Sequence, residues 1–295
     1  MKTQKIKGYS RRKITILDIV VYGIMIFSLA VTLFPIIHML AVSLSSDRYV
    51  LQGKVGLIPK GFTIKMYQYV FDDKSLFRSY GNTIIYTVLG TIISLITTSA
   101  AAFALSKRRV IGHKLINGLI LFTMFFGGGM IPTYLTVRDY GLLNTIWSVL
   151  LPGAVSTWNL IIMRSFFDAF PTEIEESGMI DGLTDIGIFI RLVLPLSKPV
   201  LATIGLYYAV GLWNNYFTPF IYLNDSKLYP LQIVLRTLLV SGSSNVSTVQ
   251  SGDVLVVEES LKYATVVVSI TPIMIVYPFL QKYFVKGIML GSVKG

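Results

Sequence analysis

Of 295 residues, 53% are hydrophobic and only 14% charged, with a mean hydropathy of +0.66, whereas soluble domains carry about 25% charged residues. A water-soluble globular fold is excluded for this chain of net charge +11. No cysteine occurs and the two histidines are His38 and His113, which excludes disulfides, thiolate metal sites and a histidine cluster.

The chain opens with the basic stretch "MKTQKIKGYSRRK" and enters an apolar run over 17–44. Ser28-Leu29-Ala30 offers small residues near a cleavage point, but the run continues to Leu44. A signal core spans about 7–15 residues, so the run reads as a retained first span. Five more runs approach the roughly 20 helical residues needed to cross a bilayer: 82–105, 115–135, 145–163, 199–222 and 262–284. They are continuously apolar instead of alternating, so they read as helices, not barrel strands. The expected fold class is all-α, a single polytopic domain over 1–295 with six spans.

Two basic patches, "KTQKIKGYSRRK" and "SKRRVIGHK", abut spans on the side that also holds the C-terminus. Basic residues concentrate on cytoplasmic loops, which places both termini inside. Outside lie 45–81 and 223–261. Gly53, Gly56, Pro59 and Gly61 among aromatic residues predict a folded lobe in the first. The second contains "SGSSNVSTVQSG", the composition of a mobile connection. Both read either as solvated connectors or as docking sites for an external partner. His38, at the outer end of the first span with no second histidine or carboxylate near it in sequence, reads as a packing residue. "FFGGGMIP", 125–132, predicts a kink or a close helix contact in the third span, or a gate.

The internal loop 164–198 departs from its surroundings: Asp168, Glu173, Glu175, Glu176, Asp181 and Asp185 oppose only Arg164, Arg191 and Lys198. Anionic headgroups repel such a segment, which leaves a solvated loop with helix-capping carboxylates or a protein partner. Thr172 and Glu175 have capping-box spacing, and a short helix should start at Glu173. Gly182 can end it in the left-handed conformation, and Thr184 or Asp185 can cap a second helix that runs until Pro195 and Pro199 interfere. Gly178 inside the first helix costs about 1 kcal/mol relative to Ala, which suggests another backbone approaching there. In the fifth span, "GLWNNYFTPF" places Trp213, Asn214, Asn215 and Tyr216. Paired amides are costly against lipid, so they should face the bundle interior, as sugar ligands in a pathway or as hydrogen bonds between helices.

The run Glu176-Ser177-Gly178, then Asp181-Gly182, then Leu194-Pro195 and Pro199 resembles the "EAA" motif of permease subunits of ATP-binding cassette importers, E-A-A-x-x-D-G followed by L-P. The chain departs from it with Ser177 and Gly178 at the two alanines and with Leu183 where a small residue commonly follows. "LPGAVSTWNLIIMRSFFDAFP", "GGGMIPTYLTVRDYGLLNT" and "FVKGIMLGSVKG" also resemble that family, in its subgroup for complex carbohydrates.

The resemblance implies a second permease, two cytoplasmic ATP-binding subunits, an external solute-binding protein and a carbohydrate substrate in a bacterial cytoplasmic membrane. It also implies that Glu175, Glu176, Ser177, Gly178, Asp181, Gly182 and Pro195 form an ATPase-coupling loop. Glu176 would pair with the ATPase, while Asp181 and Gly182 hold the turn. No G-x-x-x-x-G-K-[ST] occurs, so ATP and Mg belong to the partner subunits and this chain has no cofactor, metal or catalytic residue of its own. Asp18, at the edge of the first span, is the lone carboxylate within the six runs, which disfavours a gradient-driven carrier. The runner-up readings are the same machinery for another polar solute, or a passive channel; nucleic acid is not an expected partner.

Overall fold

The computed structural model describes residues 15–107, 109–240 and 254–292, with side chains described except at 238–240, 254–258 and 279–292. The N-terminal basic patch, Arg108 and the whole of "SGSSNVSTVQSG" lie outside the described residues. All regular structure among the described residues is helical. The chain gathers into two compact units, Met1–Gln68 with Val249–Val267, and Tyr69–Thr248 with Val268–Gly295.

The first unit begins with α1, Ile16–Ser43, which buries only Ala41, Val42 and Ser43. A helix apolar on every side suits a hydrocarbon environment. The predicted lobe follows: α2, Asp47–Leu51, and the loop leading to α3, Lys65–Asp72. Polar bonds fasten it down. Ser45 Oγ accepts from Lys60 N (3.0 Å), Ser43 and Tyr67 share a hydroxyl bond (2.8 Å), and a His38 ring nitrogen lies 2.9 Å from Gly56 O. His38 also stacks on Phe34, so the expected packing residue has a second task as a staple for the lobe.

The second unit is built on α4, Lys74–Ser106. Asp73 caps it, accepting from Ser75 N (2.8 Å) and Leu76 N (3.3 Å). Its buried face reads Ser79, Thr83, Tyr86, Gly90, Ser94, Thr98, Ala102, Leu105, a mostly small stripe at three- and four-residue spacing that lets neighbours approach closely. A Cβ on Gly90 would lie 2.7 Å from Leu212 Cδ1 and 3.1 Å from Leu150 Cδ2.

The next three predicted spans are interrupted. The third is α5, His113–Phe125, and α6, Met130–Asp139, bent by 114°. Gly127, Gly128 and Gly129 supply the break, with Gly129 at φ 85°, which only glycine adopts cheaply. The fourth, predicted as continuous over 145–163, is α7, Ile146–Leu150, then an irregular stretch containing Pro152-Gly153, then α8, Thr157–Asp168. Pro152 has no N–H to continue α7. After α8 come α9, Thr172–Ile180, and α10, Asp185–Ile188. A π turn at Phe189–Val193 leads into α11, Leu194–Leu196. The wide turn precedes Pro195, whose ring would clash with the residue 191 carbonyl in regular α geometry. An 83° bend at Ser197 leads into α12, Lys198–Trp213, so the chain turns between Pro195 and Pro199 as expected. The fifth span, predicted to run unbroken to 222, stops at Trp213 and resumes as α13, Phe217–Tyr222. The unit continues with α14, Leu231–Val240, and the last helix is α15, Val254–Ser292.

Three described helices are therefore long and apolar enough to cross a membrane, Ile16–Ser43, Lys74–Ser106 and Glu259–Pro278, or five if each sharply bent pair counts as one span. The second unit's main core joins Ala102 and Phe103 of α4, Leu160, Met163 and Phe167 of α8, Ile188 of α10, Val193 of the π turn, and Ile204 and Tyr208 of α12. Tyr208 fixes their register: its hydroxyl bonds Thr98 Oγ1 (2.7 Å) and accepts Ser156 N (2.9 Å). Tyr208→Phe strands both partners, and an unsatisfied buried group costs about 1–3 kcal/mol. A lowered unfolding temperature in detergent is the expected outcome, and an unchanged one would show the junction is dispensable.

Candidate functional site

The acidic loop is helix, glycine turn, helix. α9 closes in a Schellman motif: Leu183 N bonds Gly178 O (2.9 Å) and Gly182 N bonds Met179 O (3.0 Å), with Gly182 at φ 79°. Leu183 packs against the core described above, which gives this departure from a small residue a structural task. Thr184 Oγ1 then accepts Gly187 N (3.3 Å) to cap α10.

The start of the loop differs from expectation. α9 begins at Thr172 with Pro171 at the N-cap, and no side chain caps it. Glu175 turns away from the helix terminus to form an ion pair with Lys107, beyond the end of α4. Both side chains are largely buried, 15% and 16% exposed, and a shielded charge-assisted bond outcompetes an exposed capping interaction. Lys107 Nζ also lies 4.4 Å from the centre of the Phe103 ring. On the second helix Asp185 pairs with Arg109, both side chains more than half exposed. The basic loop after α4 thus touches both halves of the acidic bend, while His113 Nε2, 2.9 Å from Leu105 O, braces that loop.

Gly178 is buried, and side chains of its own chain pack into the notch. A Cβ there would meet Leu192 Cδ1 at 2.8 Å and Ile188 Cγ1 at 3.1 Å. Ser177 is exposed and its hydroxyl bonds Ile174 O (2.9 Å); Asp181 is the exposed C-cap; Pro195 follows the π turn. Glu173 and Glu176 are exposed and make no ion pair among the described residues. The same bend exposes Ile180, 86% exposed, and Ile186, 70% exposed, together with Met179. The inner side of the bend is anchored in the bundle core, and its outer side presents an apolar and acidic knob.

A second feature is a cavity of about 440 Å³ walled by the interrupted third, fourth and fifth spans. Its lining includes Ser156, Asn159, Tyr207, Gly211, Asn215 and Tyr222. Irregular backbone at membrane depth is tolerated where it is buried in protein or lines a cavity. Of the four residues expected along a pathway, only Asn215 lines it. Trp213 ends α12, and Asn214 Nδ2 donates to Val210 O (2.9 Å) within its own helix. Tyr216 stacks on Phe220, with the Arg236 guanidinium 4.5 Å from its ring centre. Asn159 was missed because it sits in an apolar run; the readable signal was Pro152-Gly153 interrupting that run just upstream.

The model of the binding-protein-dependent transport system inner membrane component family matches residues 8–290. The chain belongs to that family. It is 45% identical over 269 residues to Protein LplC of Bacillus subtilis, covering 90% of each chain. It is 42% identical to the polygalacturonan/rhamnogalacturonan transport system permease protein YtcP of the same organism, covering 94% of this chain and 98% of the relative. A chain from the crystal structure of a bacterial ABC transporter involved in the import of the acidic polysaccharide alginate superposes with a TM-score of 0.87 at 38% identity. That match covers 95% of this chain and 100% of the other. Family membership makes the protein an inner-membrane permease component of a binding-protein-dependent transporter, not an enzyme, and the fold is the family's permease fold.

Proposed function

We propose that this chain is one of two permease subunits through which an ATP-driven importer carries a carbohydrate, an oligosaccharide or polysaccharide fragment, across the bacterial cytoplasmic membrane. The relatives' sugar and polysaccharide substrates support the substrate class. In this reading 1–295 forms one permease domain with six spans, three of them interrupted, and both termini are cytoplasmic. Two ATP-binding subunits supply ATP and Mg, and an external solute-binding protein delivers the sugar.

The observation that carries the mechanism is the two-sided bend 164–198. Ile180 and Ile186 stand exposed beside Glu176 and Asp181, while Ile188 and Val193 are buried in the core shared with α4, α8 and α12. Close-packed cores transmit displacement, so an ATPase cleft that grips the knob moves the helices that wall the cavity. Coupling requires the ATPase to hold the two bundle arrangements with different affinity. Glu176→Lys reverses an exposed charge that bonds no side chain among the described residues. In reconstituted vesicles, uptake and sugar-stimulated ATP hydrolysis should both fall severalfold at unchanged membrane level. Full activity would remove Glu176 from the interface.

A further inference from the structure

One wall of the cavity holds a side-chain amide that no other described residue engages. Asn159 is 6% exposed and lines the cavity. Its backbone N–H reaches Ser156 Oγ (3.5 Å), but its side-chain amide makes no hydrogen bond among the described residues. The amide atoms are not sealed in the core but open on the cavity, so their donor and acceptor positions face whatever enters it. Asn215, from the break in the fifth span, accepts Thr218 N with its Oδ1 (3.3 Å), and its amide donors bond no other described residue. Tyr207 and Tyr222 add aromatic surface, and a Cβ built on Gly153 or Gly211 would meet nothing within 4 Å. Among the described residues no Asp, Glu, Lys or Arg lines the space. Its volume falls within the range of about 300–1,000 Å³ of small-molecule sites.

Amide donors and acceptors beside tyrosine rings, without charge, match the hydroxyls and apolar face of a sugar ring. We infer that this cavity is a sugar-binding subsite contributed by this permease itself, with the amides of Asn159 and Asn215 binding ring hydroxyls against Tyr207 and Tyr222. The inference rests on the carbohydrate reading above and adds where, on this chain, the sugar is held.

The test uses the complete complex, with partner permease, ATP-binding subunits and binding protein, in proteoliposomes supplied with radiolabelled raffinose, arabinooligosaccharides or oligogalacturonate. Wild-type uptake of one of these probes is expected first; uptake of none overturns the carbohydrate reading and the subsite with it. With a transported probe in hand, Asn159→Leu should lower uptake at least tenfold while the unfolding temperature stays the same or rises, because the amide makes no bond to another described residue that its loss would break. Gly211→Leu, which grows into the open space, should do the same with helix propensity improved. Asn214→Leu, whose amide serves its own helix, should transport normally. If Asn159→Leu lowers the unfolding temperature and spares uptake, the amide is structural; if both cavity variants carry the probe at the wild-type rate, the subsite is refuted while the carbohydrate reading stands.

Discussion

Lys107→Glu is expected to reduce uptake at least tenfold, and adding Glu175→Lys in the same chain is expected to restore most of it. The two side chains pair in a shielded position, 16% and 15% exposed, and join the end of α4 to the first helix of the acidic bend. Removing one partner of a buried pair costs about 3–5 kcal/mol, because the other charge is left uncompensated; the reversal puts two carboxylates together and also removes the ammonium from the Phe103 face. That penalty falls on the junction between bundle and knob, so the bend should detach or reorient before the bundle unfolds. The Arg109–Asp185 pair, with 55% and 60% of its side chains exposed, is the internal comparison. Exposed pairs contribute about 0–1 kcal/mol, and Arg109→Ala should leave uptake nearly unchanged. The decisive measurement is sugar carried per ATP hydrolysed in the single and double variants. A swap that fails to recover transport would show that the position of each charge matters to a partner and not to the pair.

The sequence made the knob legible and hid its attachment. Gly182, Thr184, Pro195 and Pro199 act on backbone within a few residues of themselves, so the helix, turn, helix pattern and the bend at Ser197 could be read from spacing alone. The destination of Glu175 could not. Its partner lies 68 residues away, and the capping-box spacing offered a local alternative that lost to a buried ammonium. Hydropathy located the apolar runs well but is blind to backbone continuity: Gly127-Gly128-Gly129 and Pro152-Gly153 break helices inside stretches apolar enough to span. The cavity exists because of those breaks. Asn159 accordingly escaped notice while Asn214, conspicuous beside Asn215, proved to bond its own helix.

At Gly178 the consequence depends on side-chain size in a way that separates packing from helix propensity. A single Cβ would approach Leu192 Cδ1, the free end of a flexible side chain, at 2.8 Å and Ile188 Cγ1 at 3.1 Å. Leu192 can turn aside, and Ala gains about 1 kcal/mol of helix propensity over Gly, so Gly178→Ala should transport at close to the wild-type rate. This agrees with the alanine that the E-A-A pattern has at this position. Gly178→Val adds two further methyl groups against Ile188, which is 1% exposed and sits in the main core. Overpacking of this kind costs about 1–3 kcal/mol, and the strain is relieved most easily by moving α9 off α10, which displaces Ile180 relative to Ile186 on the outer face. Gly178→Val should therefore lose most of its uptake while still inserting, and Leu192→Ala in the same chain should recover a substantial part by opening the notch. Equal activity of the Ala and Val variants would mean that the spacing between the two helices of the bend is not what the ATPase reads.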